Sequence, residues 1–233
     1  MEARGRITGT LANSDADVFR VPSPTPVALQ FELVKRGTAS CADLTGVRLQ
    51  LLDGTGTPKA SVETIALGAC RRLVVSVGTG TWYLSLSRSG PGAAFDYELS
   101  MTSLGVPSLE VEPNDSISSA TVIPSTGGVV CGAFIANTLD SHDHFVISLP
   151  AGARRLTAEV IDTATADVCW GGFMALDLLT SSGTVLEFDA DSGRLSCPLI
   201  ERSSLVSPGT YVLNVRTFST SRSFSYCLAV VPR

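Results

Sequence analysis

Leu49-Gln50-Leu51-Leu52, ending at Gly56, and Gly80-Thr81-Trp82-Tyr83-Leu84 return later in the chain as Leu176-Asp177-Leu178-Leu179, ending at Gly183, and Gly209-Thr210-Tyr211-Val212-Leu213. Each set closes on a related run, Phe95-Asp96-Tyr97-Glu98-Leu99 in the first and Phe224-Ser225-Tyr226-Cys227-Leu228 in the second. Order, spacing and residue type agree. The period is too long for a solenoid, so each copy reads as a complete domain. The expected boundaries are 1–104 and 105–233, with Thr102 to Leu109, holding Gly105 and Pro107, as the connecting stretch.

Within the copies the apolar residues alternate. Trp82, Leu84 and Leu86 fall on one face of a strand and Tyr83, Ser85 and Ser87 on the other. The matching run puts Tyr211, Leu213 and Val215 together. Short runs of this kind between Asp-Gly, Ser-Gly and Pro-Gly turns predict eight strands per copy, near 5–11, 16–21, 27–34, 46–53, 61–66, 71–77, 81–87 and 93–101, then near 128–135, 142–149, 154–162, 171–180, 184–190, 198–206, 210–217 and 223–231. No segment sustains helical spacing. The expected fold is all-β, two tandem antiparallel β-sandwiches of jelly-roll type.

Composition narrows the function. The chain is 44% hydrophobic and 17% charged, a globular balance. Residues 1–105 carry ten basic and nine acidic side chains, whereas 106–233 carry seven and thirteen. An acidic chain without a basic stripe excludes nucleic acid as a partner. No apolar run approaches the roughly 18 residues of a membrane helix, so no insertion is expected. Met1-Glu2-Ala3-Arg4-Gly5 has no apolar core of a signal peptide, so the chain is expected to be a mature product or an excised piece of a longer secreted protein.

Six cysteines point to the same compartment. Cys41 and Cys70 lie at nearly the same spacing as Cys169 and Cys197. Cys131 and Cys227 remain, and their counterparts in the first copy are Thr8 and Glu98, so the two are present or absent together. The expected bridges are Cys41–Cys70, Cys169–Cys197 and Cys131–Cys227, the alternative being buried free thiols. Paired cysteines imply a secreted or cell-surface location. Neither zinc spacing nor a G-x-S-x-G elbow is present, and the bridges consume every thiol, so no enzyme is expected.

Glu110-Val111-Glu112-Pro113-Asn114-Asp115-Ser116 stands between the linker and the second copy, and Asp140-Ser141-His142-Asp143-His144-Phe145 follows about 25 residues later. This E-x-E-P-N-D opening, the D-x-x-D-x-F strand entry, L-x-L-L…G and G-T-Y-x-L-x-V together resemble the bacterial pre-peptidase C-terminal domain family. The resemblance covers 110–231, and the first copy from Gly5, where Asp15-Ala16-Asp17-Val18-Phe19 replaces the entry and no acidic opening precedes it. It implies β-sandwich modules attached to secreted proteases and other exported proteins. It also implies, as in the collagen-binding segments of clostridial collagenases, calcium held by the acidic opening and entry aspartates. On this chain those are Glu110, Glu112, Asn114, Asp115, Asp140 and Asp143, and Ser14 replaces Asp140 in the first copy. The donors suit the ion, since calcium takes six to eight hard oxygens. A solvated acidic linker, with Asn114-Asp115 as turn residues, is the alternative.

The remaining candidates are weaker. His142 and His144, the only histidines, share a strand face and either pair on a transition metal or are simply exposed. Asp189 and Asp191 sit in an ordinary hairpin run, and Tyr97 and Tyr226 fall on apolar faces, which makes them core. Trp170, beside Cys169, is the aromatic expected to be exposed. The expected function is a non-catalytic accessory or adhesion module, calcium-stabilised in its second domain, whose partner is a protein, a polysaccharide or another domain of its parent. The alternative is a structural spacer or self-assembling surface repeat, and an exposed aromatic patch on a sheet face would separate the two.

Overall fold

The computed structural model of the chain describes residues 4–37, 44, 46–63, 71–89, 93–136, 141–152, 155–161, 174–193, 197–202, 207–219, 221 and 223–232. Cys41, Cys70, Cys169, Trp170 and Asp140 lie outside them. The chain divides into two compact units, Met1–Gly105 and Val106–Arg233. Both are all-β, and among the described residues no helix is long and apolar enough to cross a membrane.

The first unit consists of β1 (Arg4–Leu11), β2 (Ala16–Ser23), β3 (Val27–Lys35), β4 (Val47–Leu52), β5 (Pro58–Glu63), β6 (Arg71–Val77), β7 (Gly80–Arg88) and β8 (Phe95–Gly105). They form two antiparallel sheets, ordered β1-β8-β3-β6 and β2-β7-β4-β5. That is the jelly-roll order, in which consecutive strands alternate between sheets until the β4–β5 hairpin. Alternation in sequence becomes alternation in burial. Along β4, Val47, Leu49 and Leu51 are buried and meet Leu84 and Leu86 of β7 and Phe31 and Leu33 of β3 in one core.

The second unit repeats this order with β11 (Gly128–Phe134), β12 (His142–Leu149), β13 (Leu156–Ile161), β14 (Met174–Thr180), β15 (Val185–Asp189), β16 (Leu199–Arg202), β17 (Gly209–Thr217) and β18 (Phe224–Pro232). Two further strands sit at its edges. β9 (Ser108–Leu109) lies parallel to β11 in one sheet, and β10 (Thr121–Ile123) parallel to β12 in the other. Between them is a single 3₁₀ turn, Ile117–Ser119. Here the structure departs from the expected linker. β8 runs on to Gly105 because β1 pairs with it as far as Thr102 and β3 as far as Gly105, and Ser108–Leu109 is strand because β11 offers it a free edge.

The repeated glycine after L-x-L-L has a local cause. Gly56 and Gly183 both take positive φ, 83° and 88°, and close a turn back onto Asp53 and Thr180. Asp53 caps its turn with Oδ1, which accepts from the Thr55 and Thr57 amides, and Thr180 Oγ1 accepts from the Thr184 amide. The Thr55 hydroxyl and these amides hold the Asp53 carboxyl well below the usual range. A third correspondence lies between the first and last strands of each set of eight. Thr8 faces Glu98 in β1–β8, and Cys131 faces Cys227 in β11–β18, where the two sulfurs are bonded. Cys197 is also disulfide-bonded.

Candidate cation site

Asp143 is the second residue of β12 and points into the sandwich, where it is fully buried. Tyr226, from the opposite sheet, is equally buried, and its hydroxyl donates to Asp143 Oδ2 at 2.6 Å. The first unit contains the same link between its sheets, from Tyr97 to Asp17 Oδ2, also at 2.6 Å. A buried carboxylate is tolerated where a donor faces it, so one tyrosine–aspartate bond across the two layers is common to both units.

The second unit adds the acidic opening to this link. Glu110 continues from β9, its amide donating to the Cys131 carbonyl. Its side chain crosses β11 at Gly132, where any Cβ would collide with the Glu110 carboxylate. Gly9 is the counterpart in the first unit, and there the space is taken by the Tyr97 ring. The Glu110 carboxylate accepts from the Ala133 amide at 2.9 Å, from Asn114 Nδ2 at 3.2 Å and from the Tyr226 hydroxyl at 3.4 Å. Thr121 at the head of β10 holds the segment from the other sheet, accepting from the Val111 amide. The chain then turns back: the Asn114 amide donates to Glu112 Oε2, and the Asn114 carbonyl accepts from the His144 amide.

Carboxylate oxygens of Glu110, Glu112 and Asp143 thereby come within 4.8 Å of one another. Asn114 belongs to the same cluster through Glu110, is 0% exposed, and its Oδ1 has no hydrogen-bond partner among the described residues. An orphaned buried amide oxygen is costly unless something electropositive meets it. Burial pushes the Glu110 carboxyl up, the Glu112 charge adds to this, and the donors from Ala133, Asn114 and Tyr226 oppose it. Burial, followed by the charges of Asp143 and Glu110, holds the Tyr226 phenol well above its usual value, so it remains a donor.

Of the six expected ligands, Glu110, Glu112, Asn114 and Asp143 are therefore brought together. Asp115 is exposed and lies outside that carboxylate group, and Asp140 lies outside the described residues. Tyr226 belongs with the cluster although its ring is core, and the signal for it was available: the Asp17/Tyr97 and Asp143/Tyr226 pairs recur at matching places. His142 and His144 share the outer face of β12 with ring centroids 6.2 Å apart, and no three-residue ligand group among the described residues includes them. Burial lowers the His144 value. Asp189 accepts from the Asp191, Ser192 and Leu199 amides, which is turn capping.

No protein-family model and no curated protein matches the chain. Among solved structures it is similar to the pre-peptidase C-terminal domain of a collagenase from Bacillus anthracis, 19% identical over 48% of this chain and 93% of that one, with a TM-score of 0.36. It is also similar to the PBSX exported protein XepA, 11% identical over 98% and 86%, TM-score 0.35. Tandem CBM51 modules of a family 98 glycoside hydrolase from Streptococcus pneumoniae are 10% identical over 94% and 82%, TM-score 0.29. Likenesses this distant leave the reading of the site to its own residues.

Proposed function

We propose that this chain is a non-catalytic accessory module of an exported protein and that calcium stabilises its second unit. The observation that carries the calcium reading is the group of Glu110, Glu112 and Asp143 oxygens within 4.8 Å, joined by the buried Asn114 amide. Three carboxylates and an amide are hard oxygen donors, all but Asp143 on an irregular segment, which suits the large and variable shell of calcium better than the rigid octahedron of magnesium. Asp115 and Asp140 stay in the proposed set as donors from the flanking chain. The Cys131–Cys227 bridge supports an oxidising compartment. Phe188 and Phe218, 50% and 55% exposed, favour a ligand-binding module over a spacer.

The test is thermal unfolding of the whole chain in calcium and in chelator. At a hundred times the dissociation constant, a ligand bound only by the folded state adds about 2.7 kcal/mol. The second unit has 128 residues, and at about 2.1 cal/mol/K per residue this becomes a rise of about 10 °C. One of two transitions should move and the other stay. A calcium titration that moves neither transition would overturn the calcium reading.

A further inference from the structure

The outer face of the β10-β12-β17-β14-β15 sheet carries a network that the fold does without in its other unit. One row across this sheet reads His144, Asn214, Asp177, Phe188, with His142 and Arg216 in the next row. The matching positions of the first unit are Val18, Ser85, Gln50 and Ser61, with Ala16 and Ser87 beside them. None of those is charged or aromatic, and the strand order is the same.

Arg216 is the centre of the network. Its Nε lies 3.1 Å from Asp177 Oδ2 and its Nη2 donates to Oδ1, while Asn214 Nδ2 donates to the same carboxylate at 3.0 Å. The Asn214 amide in turn meets His142 Nδ1 at 3.2 Å. Asp177 and Asn214 are buried beneath this arrangement. Opposite Arg216 on β14 stands Ala175, small and fully covered, so the arginine stem can cross that strand. The guanidinium then lies 5.1 Å from the Phe188 ring and 5.1 Å from the Phe218 ring. Such contacts fix all three groups. The Arg216 side chain remains 29% exposed, so part of a held guanidinium is open to a ligand.

Two half-exposed phenyl rings leave apolar surface in water that a ligand covering them would remove. Charge decides what that ligand is. Asp177 already cancels Arg216, Glu187 and Asp189 stand on β15 and Asp191 just beyond it, and the unit as a whole is acidic. An anion finds no complement there, whereas an uncharged polyol does. The C–H faces of a sugar ring suit the electron-rich faces of Phe188 and Phe218, and its hydroxyls can accept from Arg216 and bond to exposed His142. We infer that this face of the second unit binds an uncharged polysaccharide, with Phe188 and Phe218 as stacking surfaces and Arg216 as the hydrogen-bond donor between them. The inference deepens the accessory-module reading and rests on it.

The test is affinity electrophoresis of the whole chain through gels containing soluble xyloglucan, glucomannan, mixed-linkage glucan or starch, with pull-down on cellulose and chitin. Polygalacturonate, alginate and gelatin serve as charged and proteinaceous comparisons. At least one neutral polysaccharide should retain the chain, and Phe188→Ala and Phe218→Ala should each weaken retention by roughly tenfold. Arg216→Lys, which keeps the charge and loses the fork, should weaken it as well. Retention by no neutral polysaccharide, retention only by the anionic polymers or gelatin, or retention unchanged in both phenylalanine variants overturns the inference. Melting the same samples in calcium separates the two readings, because a preserved calcium shift without glycan retention refutes only the glycan face.

Discussion

Tyr226→Phe removes one oxygen from the buried link between the sheets, and its cost should depend on calcium. In chelator the Asp143 carboxylate loses its 2.6 Å donor and Glu110 loses one at 3.4 Å, both beside other carboxylates. A buried acceptor left without its donor costs about 1–3 kcal/mol, and with charge on both acceptors about 2 kcal/mol is expected. For a 128-residue unit that lowers the transition by about 7 °C. A bound cation would supply the charge compensation that the hydroxyl no longer gives, so in saturating calcium the cost should fall to about 1 kcal/mol. Linkage turns the difference of about 1 kcal/mol into calcium binding roughly fivefold tighter in the variant. Tyr97→Phe is the internal comparison. Its Asp17 has no acidic opening beside it, so that transition should fall by a few degrees alike in calcium and chelator. Calorimetry of both variants, with and without calcium, supplies the four numbers. An equal cost for Tyr226→Phe in both conditions refutes the argument, since the cation would then not touch the acceptors that Tyr226 serves.

Gly132→Ala places a methyl group where the Glu110 carboxylate lies, and the calcium-induced rise in melting temperature should shrink to less than half while the chelated protein stays folded. The Glu110 carboxyl is raised above 4.5 by burial, so in chelator its contribution is fully present below that unfolded value and is lost as pH rises through the folded one. Melting in chelator at rising pH should therefore show wild type losing ground to Glu110→Gln over that window, and a constant gap between the two would contradict it. Removing the Cys131–Cys227 bridge as a double alanine variant opens a loop with a sequence separation of 96. Chain entropy puts its loss at roughly 4–5 kcal/mol, read as a fall of well over 10 °C in the second unit alone. Peptide mapping without reduction should meanwhile find Cys41–Cys70 and Cys169–Cys197, and a bridge joining the two units would break the pairing argument.

The eight strands of each unit were legible because each carries enough alternating positions to declare its face. Val47, Leu49 and Leu51 against Leu84 and Leu86 is a pattern that only a pleated, half-buried ribbon explains. β9 and β10 were not legible for the converse reason. Two or three residues hold no period, and these are strands only because β11 and β12 present them with open edges. The acidic residues were conspicuous by composition, yet their convergence depends on features without a chemical signature of their own. Gly132 appears in sequence as an ordinary strand glycine, whereas its missing side chain is the room that Glu110 occupies. Tyr226 was assigned to the core by its ring, which is correct for the ring and silent about the hydroxyl. The Arg216 network was hidden because its members come from separate strands, and only register places Asp177 beside Asn214 and Phe188.

The two edge strands also have a mechanical meaning. Every residue that leads from the first unit into the second passes through β9, the acidic turn and β10 before it reaches β11. A pull on the chain from the amino-terminal side is therefore met by a two-residue ladder on one sheet, the Glu110–Asn114 turn and a three-residue ladder on the other. The body of the sandwich bears load only after those give way. Short ladders loaded along their length would slip early by themselves, and a cation held by the carboxylate cluster between them, as proposed above, would raise the tension the junction withstands. In a polymer stretched through such modules, the concentration of divalent cation would set the yield point of each link.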